Sequence, residues 1–312
     1  MRSVLRSAGT LPRAYSRIGD DVAVFPVHGK RLVLKVDMLV QSTDVPAGMT
    51  FRQAARKAVA MCVSDFAAKG VKPSAFMVSL GVSRTVTDAQ VQELALGFRD
   101  AADAWGVKLV GGDTSEAEQL IVNCVMAGFA SRYVKREGAE PGDAVVTTGR
   151  FGFPPSGLRI LLEGARARAG FRRKAVASAL MPSPNLRLGL ALAPYWTAAM
   201  DSSDGLARSL HVLSKMSRVG MEIRTMPVGD GVEEFARANG VPSKNLVFEG
   251  GEEYLIVGTM KPERVAAAAK VAKVRGAELV EIGRVTGRAG EVVLRTGGKT
   301  EPIADAGWVH LR

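Results

Sequence analysis

The chain is poor in the residues that usually carry soft-metal, redox or nucleophilic chemistry. It has 2 cysteines and 3 histidines in 312 residues. Cys62 and Cys124 lie far apart, each in an apolar run, with no C-x-x-C spacing. That argues against a disulfide framework and a thiolate zinc site, and it fits a reducing cytoplasm. His28 falls in the turn-like V-H-G-K and His211 on a helical stretch, and neither cysteine has an obvious base nearby in sequence. Aromatic residues make up only 6% of the chain. Single-strand nucleic-acid binders combine basic grooves with stacking aromatics, so no nucleic-acid partner is expected. No apolar run approaches the roughly 18 residues of a spanning helix, so no membrane partner is expected either.

What the chain does have is positive charge and glycine. There are 42 Lys and Arg against 31 Asp and Glu, for a net charge of +11, and 34 glycines. Such a balance suits phosphorylated small molecules, and a generally basic surface would produce it too. The run R-A-R-A-G-F-R-R-K at residues 166–174 holds one aromatic and reads as a solvated loop. The Arg-rich, acid-free start shares its composition with transit peptides. It lacks a long apolar core and runs straight into Gly-Asp-Asp, so an ordered or frayed N-terminal segment is expected.

Residues 31–40 alternate as a strand does, with Val33 and Lys35 on one face and Leu32, Leu34 and Val36 on the other. Thr50 and Gln53 form a capping box for a helix that stops at Gly70. Asp65 lies on its inward stripe with Phe51, Ala54, Ala58 and Met61, and Arg56 or Lys69 would be its plain structural partners. Thr87 and Gln90 open a second helix that ends at Gly106. K-L-V-G-G-D-T predicts a short strand ending in a glycine turn at Gly111-Gly112-Asp113. Residues 137–143 read as a junction, followed by a strand from Ala144 and a helix from Ser156 through S-G-L-R-I-L-L-E-G-A-R-A-R-A. The alternation predicts two α/β domains, 1–135 and 136–312. T-G-G-K-T at residues 296–300 mimics the end of a P-loop but lacks its earlier glycine, and it predicts a hairpin turn.

Acids recur at predicted strand ends or on buried faces: Asp20-Asp21, Asp37, Asp65, Asp113, Asp201 and Asp204. Glycine or serine usually stands beside them, which lets the backbone turn and a bulky ligand come close. Each acid alone has an ordinary reading, such as a turn former or a neutraliser of a helix start. Several carboxylates with no His or Cys among them, in a basic chain, describe a hard-cation site for Mg²⁺ and a polyphosphate such as ATP.

The ordered series I-G-D-D-V-A-V-F, V-D-M-L-V, A-R-K-A-V-A-M-C-V-S-D-F-A-A-K-G-V-K-P, G-G-D-T-S, R-E-G-A-E-P-G-D, M-D-S-S-D-G-L, G-G-E-E-Y and G-W-V-H resembles the thiamine-monophosphate kinase family. That family belongs to a superfamily with aminoimidazole ribonucleotide synthetase, selenophosphate synthetase and a hydrogenase-maturation factor. The resemblance implies an α/β fold of the α+β type, with an N-terminal domain whose sheet pairs in a homodimer and a C-terminal α/β sandwich domain. It implies a cytoplasmic enzyme that phosphorylates thiamine monophosphate from ATP, in line and with several Mg²⁺ ions. By the resemblance Asp65, Asp113 and Asp201 are catalytic, and Gly112, Asp113, Arg136 and Ser203 meet ATP. The metal set is Asp21, Val36 through its carbonyl, Asp37, Asp65, Asp113, Asp201 and Asp204. Asp44, Glu252 and Trp308 face the thiamine substrate. Val36 stands where many members have Thr, and Asp44 where many have His. Internal cysteines argue against the superfamily members that use cysteine chemistry at a chain end. Aminoimidazole ribonucleotide synthesis is the alternative that remains.

Overall fold

The strand read in residues 31–40 is β2 (Lys30–Val40), and its apolar side faces outward. Val33 and Leu39 are fully buried, and Lys35 and Asp37 share their face, whereas Val36 and Met38 are more than half exposed. A computed structural model describes residues 15, 16 and 19–308 of the chain. The Arg-rich segment before Tyr15, and the last two residues of the G-W-V-H motif, lie outside the described residues. β2 pairs antiparallel with β1 (Ala23–Val27), through a turn at His28 and Gly29, and with β5 (Ile121–Ala130). β3 (Pro73–Val82) lies antiparallel to β5, and β4 (Lys108–Glu116) forms the edge parallel to β3. The strand order is β1-β2-β5-β3-β4.

The glycine turn expected at Gly111-Gly112-Asp113 is not there. β4 runs straight through all three, because pairing with Met77, Val78 and Ser79 of β3 keeps the backbone extended. A Cβ at Gly112 would lie 2.5 Å from the Val78 carbonyl oxygen, so strand packing alone requires this glycine.

A one-turn helix α1 (Gln41–Asp44) follows β2. Helices α2 (Phe51–Lys69) and α3 (Asp88–Trp105) both show the complete capping box and a left-handed glycine stop. α2 is buried nearly all round rather than along one stripe. One apolar core surrounds it, joining the first sheet and α3 to α6 (Leu186–Leu192), to Trp196 and Ala199 of β7 (Trp196–Ser202), and to Met260 of β9 (Leu255–Met260). Both cysteines sit in this core, where the Cys62 thiol meets the Cys124 carbonyl. The connecting segment is stitched to both sides, Val134 N–H to the Lys69 carbonyl and Ala199 N–H to the Lys135 carbonyl.

The second sheet has seven strands ordered β12-β11-β8-β10-β6-β9-β7. They are β6 (Ala144–Thr147), β7, β8 (Gly220–Ile223), β9, β10 (Val280–Thr286), β11 (Val292–Thr296) and β12 (Lys299–Pro302). Helix α4 (Phe153–Glu163) is shorter than the sequence suggests, because Gly164 takes a left-handed conformation and stops it before the Arg-rich run. That run is not the expected loop: its residues 169–174 form the first half of α5 (Ala169–Leu180). α7 (Leu206–Ser217) covers a second core with Leu206, Leu210 and Leu213. α8 (Val232–Ala238) and α9 (Pro262–Val274) complete the helices. T-G-G-K-T is the expected hairpin, with Gly297 and Gly298 at positive φ between β11 and β12. Among the described residues no helix is long and apolar enough to cross a membrane.

Neighbouring helices approach α2 through glycine. A Cβ at Gly97 of α3 would sit 2.2 Å from the Arg52 carbonyl oxygen, and one at Gly189 of α6 would sit 2.2 Å from that of Ala67. Gly97→Ala should therefore overpack the α2–α3 contact and cost about 1–3 kcal/mol in urea unfolding. Gly170→Ala, where a Cβ meets open space on α5, should instead be neutral or gain up to about 1 kcal/mol. Equal stabilities for the two variants would contradict this packing.

Candidate active site

Three acids arrive at one place from three elements: Asp21 just before β1, Asp65 from α2, and Asp201 near the end of β7. Ligand oxygens of all three lie within 4.8 Å of one another, and all three residues are buried. Carboxylates this close and out of water repel, so positive charge has to accompany them. Lys69 Nζ, fully buried, lies 2.6 Å from both Asp20 and Asp21 and donates to the Ala199 carbonyl at 2.9 Å. The Arg136 guanidinium donates to Asp21 and, at 2.7 Å, to the Gly19 carbonyl. Lys35 reaches from β2 to Asp65 at 2.8 Å and Asp37 at 3.2 Å. The Ser64 hydroxyl donates to Asp201 at 2.7 Å.

Neither plain partner considered for Asp65 is the real one. Arg56 donates to the Pro182 carbonyl and stacks over Trp105, Lys69 serves Asp20 and Asp21, and Lys35 takes Asp65.

Burial pushes the Asp21, Asp65 and Asp201 carboxyls up, and the neighbours decide the outcome. At Asp21, Lys69 and Arg136 outweigh burial and hold the group below its usual range. At Asp65 burial wins over Lys35, with Asp201 and Asp37 adding to it, and the group rises well above that range. Burial and Asp21 raise Asp201 to about 6, against Lys35 and the Ser64 hydroxyl. Five acids, Asp20, Asp21, Asp37, Asp65 and Asp201, face three cations, Lys35, Lys69 and Arg136, so the cluster has two more acids than bases. An oxygen-only donor set with that excess fits a hard divalent ion of the Mg²⁺ type.

Other candidate residues stand apart from the cluster. Met38, Asn123, Ser79 and Asp113 form one cross-sheet row, so the Asp113 side chain shares the outward face with Met38. Asp37, paired with Cys124, belongs to the inward face. Asp113 is therefore three strands away from β2 and on the opposite side of the sheet from Asp37. The Val36 side chain also points outward. Asp44 folds back on α1, where its carboxylate accepts from the Val40 N–H at 2.7 Å and the Thr43 hydroxyl at 2.9 Å. Asp204 and Ser203 lie in the turn after β7; the Asp204 carbonyl accepts from the Trp308 N–H at 3.0 Å, and the Ser203 carbonyl accepts from the Glu252 N–H at 2.7 Å. Trp308 is 50% exposed beside that turn.

Residues 250–254 form a loop held in an unusual conformation. Glu252 and Tyr254 both have positive φ, at 68° and 52°, a region that non-glycine residues rarely occupy. Lys57 Nζ, almost fully buried on α2, lies 2.8 Å from Glu252 Oε2 and donates to the Asp44 carbonyl at 2.8 Å. The Tyr254 hydroxyl donates to the same Glu252 oxygen at 3.2 Å. One ammonium thus joins the α1 turn to the 250–254 loop. Sequence reasoning missed Lys35 and Lys57 as site residues and named Lys69 only as a partner for Asp65. Lys35 was detectable, since it shares a strand face with Val33. Lys57 and Lys69 carry no such mark on a helix read as having a single buried stripe.

Glu253 turns the other way and accepts the Gly152 N–H at the start of α4. Its carboxyl lies inside the fold, although the residue keeps some exposed surface. Burial pushes it up to about 8 from 4.5, against the pull of the Gly152 N–H. Between those two values the folded chain holds a proton that the unfolded chain has released, so stability falls as pH rises. Above about 8 both states are ionised and the trend flattens. Glu253→Gln lacks this titration. Its Tm should climb relative to the wild type from pH 4.5 to about 8 and then run parallel. A constant difference across that span would refute the assignment.

Residues 19–130 match the family described as AIR synthase related protein, N-terminal domain, and residues 140–295 match the corresponding C-terminal domain. The thiamine-monophosphate kinase of Nitrosopumilus maritimus is 39% identical over 293 residues, covering 94% of this chain and 93% of its own. That of Pyrococcus abyssi is 33% identical, covering 94% and 90%. Among solved structures, AaThiL complexed with AMPPCP and TMP matches with a TM-score of 0.86 at 26% identity, over 99% of this chain and 95% of that one. The thiamine monophosphate kinase from Aquifex aeolicus matches with a TM-score of 0.82 at 25% identity, over 96% of both chains. With this two-domain α/β fold, matches along nearly its whole length and identities of this level, the chain belongs to the thiamine-monophosphate kinase family.

Proposed function

We propose that the chain transfers the γ-phosphoryl group of ATP in line onto the phosphate of thiamine monophosphate, releasing thiamine diphosphate and ADP. The observation that carries this reading is the buried Asp21–Asp65–Asp201 cluster with its excess of acids over bases. A relative of the same fold holding AMPPCP and TMP supports it.

Two phosphate groups must approach each other, so both need their charge offset and their geometry fixed. Asp21, Asp37, Asp65 and Asp201 would hold Mg²⁺, with the Val36 carbonyl as a further oxygen and Asp204 toward another ion. Bound there, the ions supply neutralisation of the phosphate oxygens. Lys69 and Arg136 keep Asp21 ionised, and Arg136 and Ser203 adjoin the nucleotide. Trp308 offers a flat face to a cationic thiazolium. Glu252, held through one oxygen by Lys57 and Tyr254, accepts from the aminopyrimidine of the same substrate. Asp44 acts through its backbone, shaping the α1 turn, because its carboxylate is already engaged.

The outward face of the first sheet exposes Val36, Met38, Met77 and Phe129, and the β4 edge exposes Leu109 and Val110. A contiguous apolar surface of this kind calls for a cover. A second copy, related by a two-fold axis along the strands, would supply it. That arrangement lays β4 of one copy over β1 and β2 of the other, so Asp113 and Gly112 would complete the partner's site rather than their own.

Asp65→Asn and Asp113→Asn should each lower thiamine diphosphate formation by about a hundredfold or more with the fold intact, as for loss of a group that neutralises developing charge. Near-normal activity of Asp65→Asn would sink the proposal. Co-expressing the two variants tests the dimer reading. Mixed dimers would carry one intact site of two, restoring about a quarter of wild-type activity. No recovery means that Asp113 acts within its own chain.

A further inference from the structure

Two lysines enter the acid cluster, and their surroundings differ. Lys69 has Asp20, Asp21 and the Ala199 carbonyl as partners, the satisfied arrangement of a structural ammonium. Lys35 lies between Asp37 and Asp65, two of the acids assigned above to cations. It projects from the buried face of β2, two residues before Asp37, and its side chain is only 18% exposed. The 2.8 Å contact with Asp65 has the length of a charge-assisted hydrogen bond, and the 3.2 Å contact with Asp37 is a looser ion pair.

A magnesium ion bridging the same two carboxylates would approach their oxygens to about 2.0–2.1 Å. It would then stand within a few ångströms of the ammonium, where two positive charges in a dry pocket repel by several kcal/mol or more. The Asp37–Asp65 bridge therefore holds the ammonium or an ion, and not both. The three-acid group of Asp21, Asp65 and Asp201 has only Asp65 in common with that bridge.

We propose that Lys35 is a built-in occupant of the Asp37–Asp65 bridge, so that this site takes one divalent ion fewer than its carboxylates would otherwise hold. This rests on the cation-site reading above. The tethered charge offsets the two acids before any ligand arrives, and it lowers the number of ions the protein must collect from solution.

The test counts Mn²⁺ bound to the full-length protein without nucleotide, by electron paramagnetic resonance of the free ion. Lys35→Gln should bind one more Mn²⁺ per chain than the wild type, and Lys35→Arg should match the wild type. Equal counts in the wild type and Lys35→Gln overturn the proposal. A second measurement needs no variant. Lys35 in the wild type should stay protected from an amine-acetylating reagent, read by peptide mass spectrometry, with and without saturating Mn²⁺. Acetylation that appears on adding Mn²⁺ means that the ion expels the ammonium, and it overturns the proposal even if Lys35→Gln does not fold. A wild type that binds no Mn²⁺ at all removes the cation site, and this inference with it.

Discussion

Carboxylates buried within 4.8 Å of one another set the terms for everything around them. Out of water such a group is stable only if compensating charge is fixed in place and cannot drift away. The chain meets this need with Lys35 of β2, Lys69 of α2 and Arg136 of the connecting segment. α2 carries Lys57, Ser64, Asp65 and Lys69 through the interior, each with a partner on another element. Its capping box, glycine stop and close contacts with α3 and α6 hold that helix at one height and one rotation. A shift of a single residue along α2 would separate Asp65 from Lys35 and Lys69 from Asp21 together.

The burial of those charges also explains their uneven titration. Asp21, with two cations against it, stays ionised, while burial raises Asp65 and Asp201, helped by Asp201 and Asp37 at the first and by Asp21 at the second. The site therefore holds one firmly anionic corner beside two carboxyls that gain from further positive charge. This is the electrostatic state that a magnesium–phosphate complex would relieve.

Local signals carried most of the architecture into the sequence. Both capping boxes, the glycine stops, the β11–β12 hairpin and the alternation of β2 depend on residues within one turn or one strand. The acids of the cluster were readable as well, because glycine and serine neighbours mark them. The errors came from long-range pairing. Nothing near Gly111-Gly112-Asp113 tells that β3 holds this stretch extended, and only the register across β5 and β3 assigns Asp113 to the outward face. The buried lysines were missed for a related reason. Lysine is normally exposed, and apart from Asp37, two residues from Lys35, the acids paired with Lys35, Lys57 and Lys69 come from remote segments.

The core around α2 has a consequence for how the chain can be divided. It draws on the first sheet and on β7 and β9 of the second alike, and residues 132–136 are bonded to both. Cutting there would strip α2 of one flank and leave Trp196, Ala199 and Met260 facing solvent. Neither half would be a self-sufficient folding module, and the two sheets should assemble cooperatively around their shared helix.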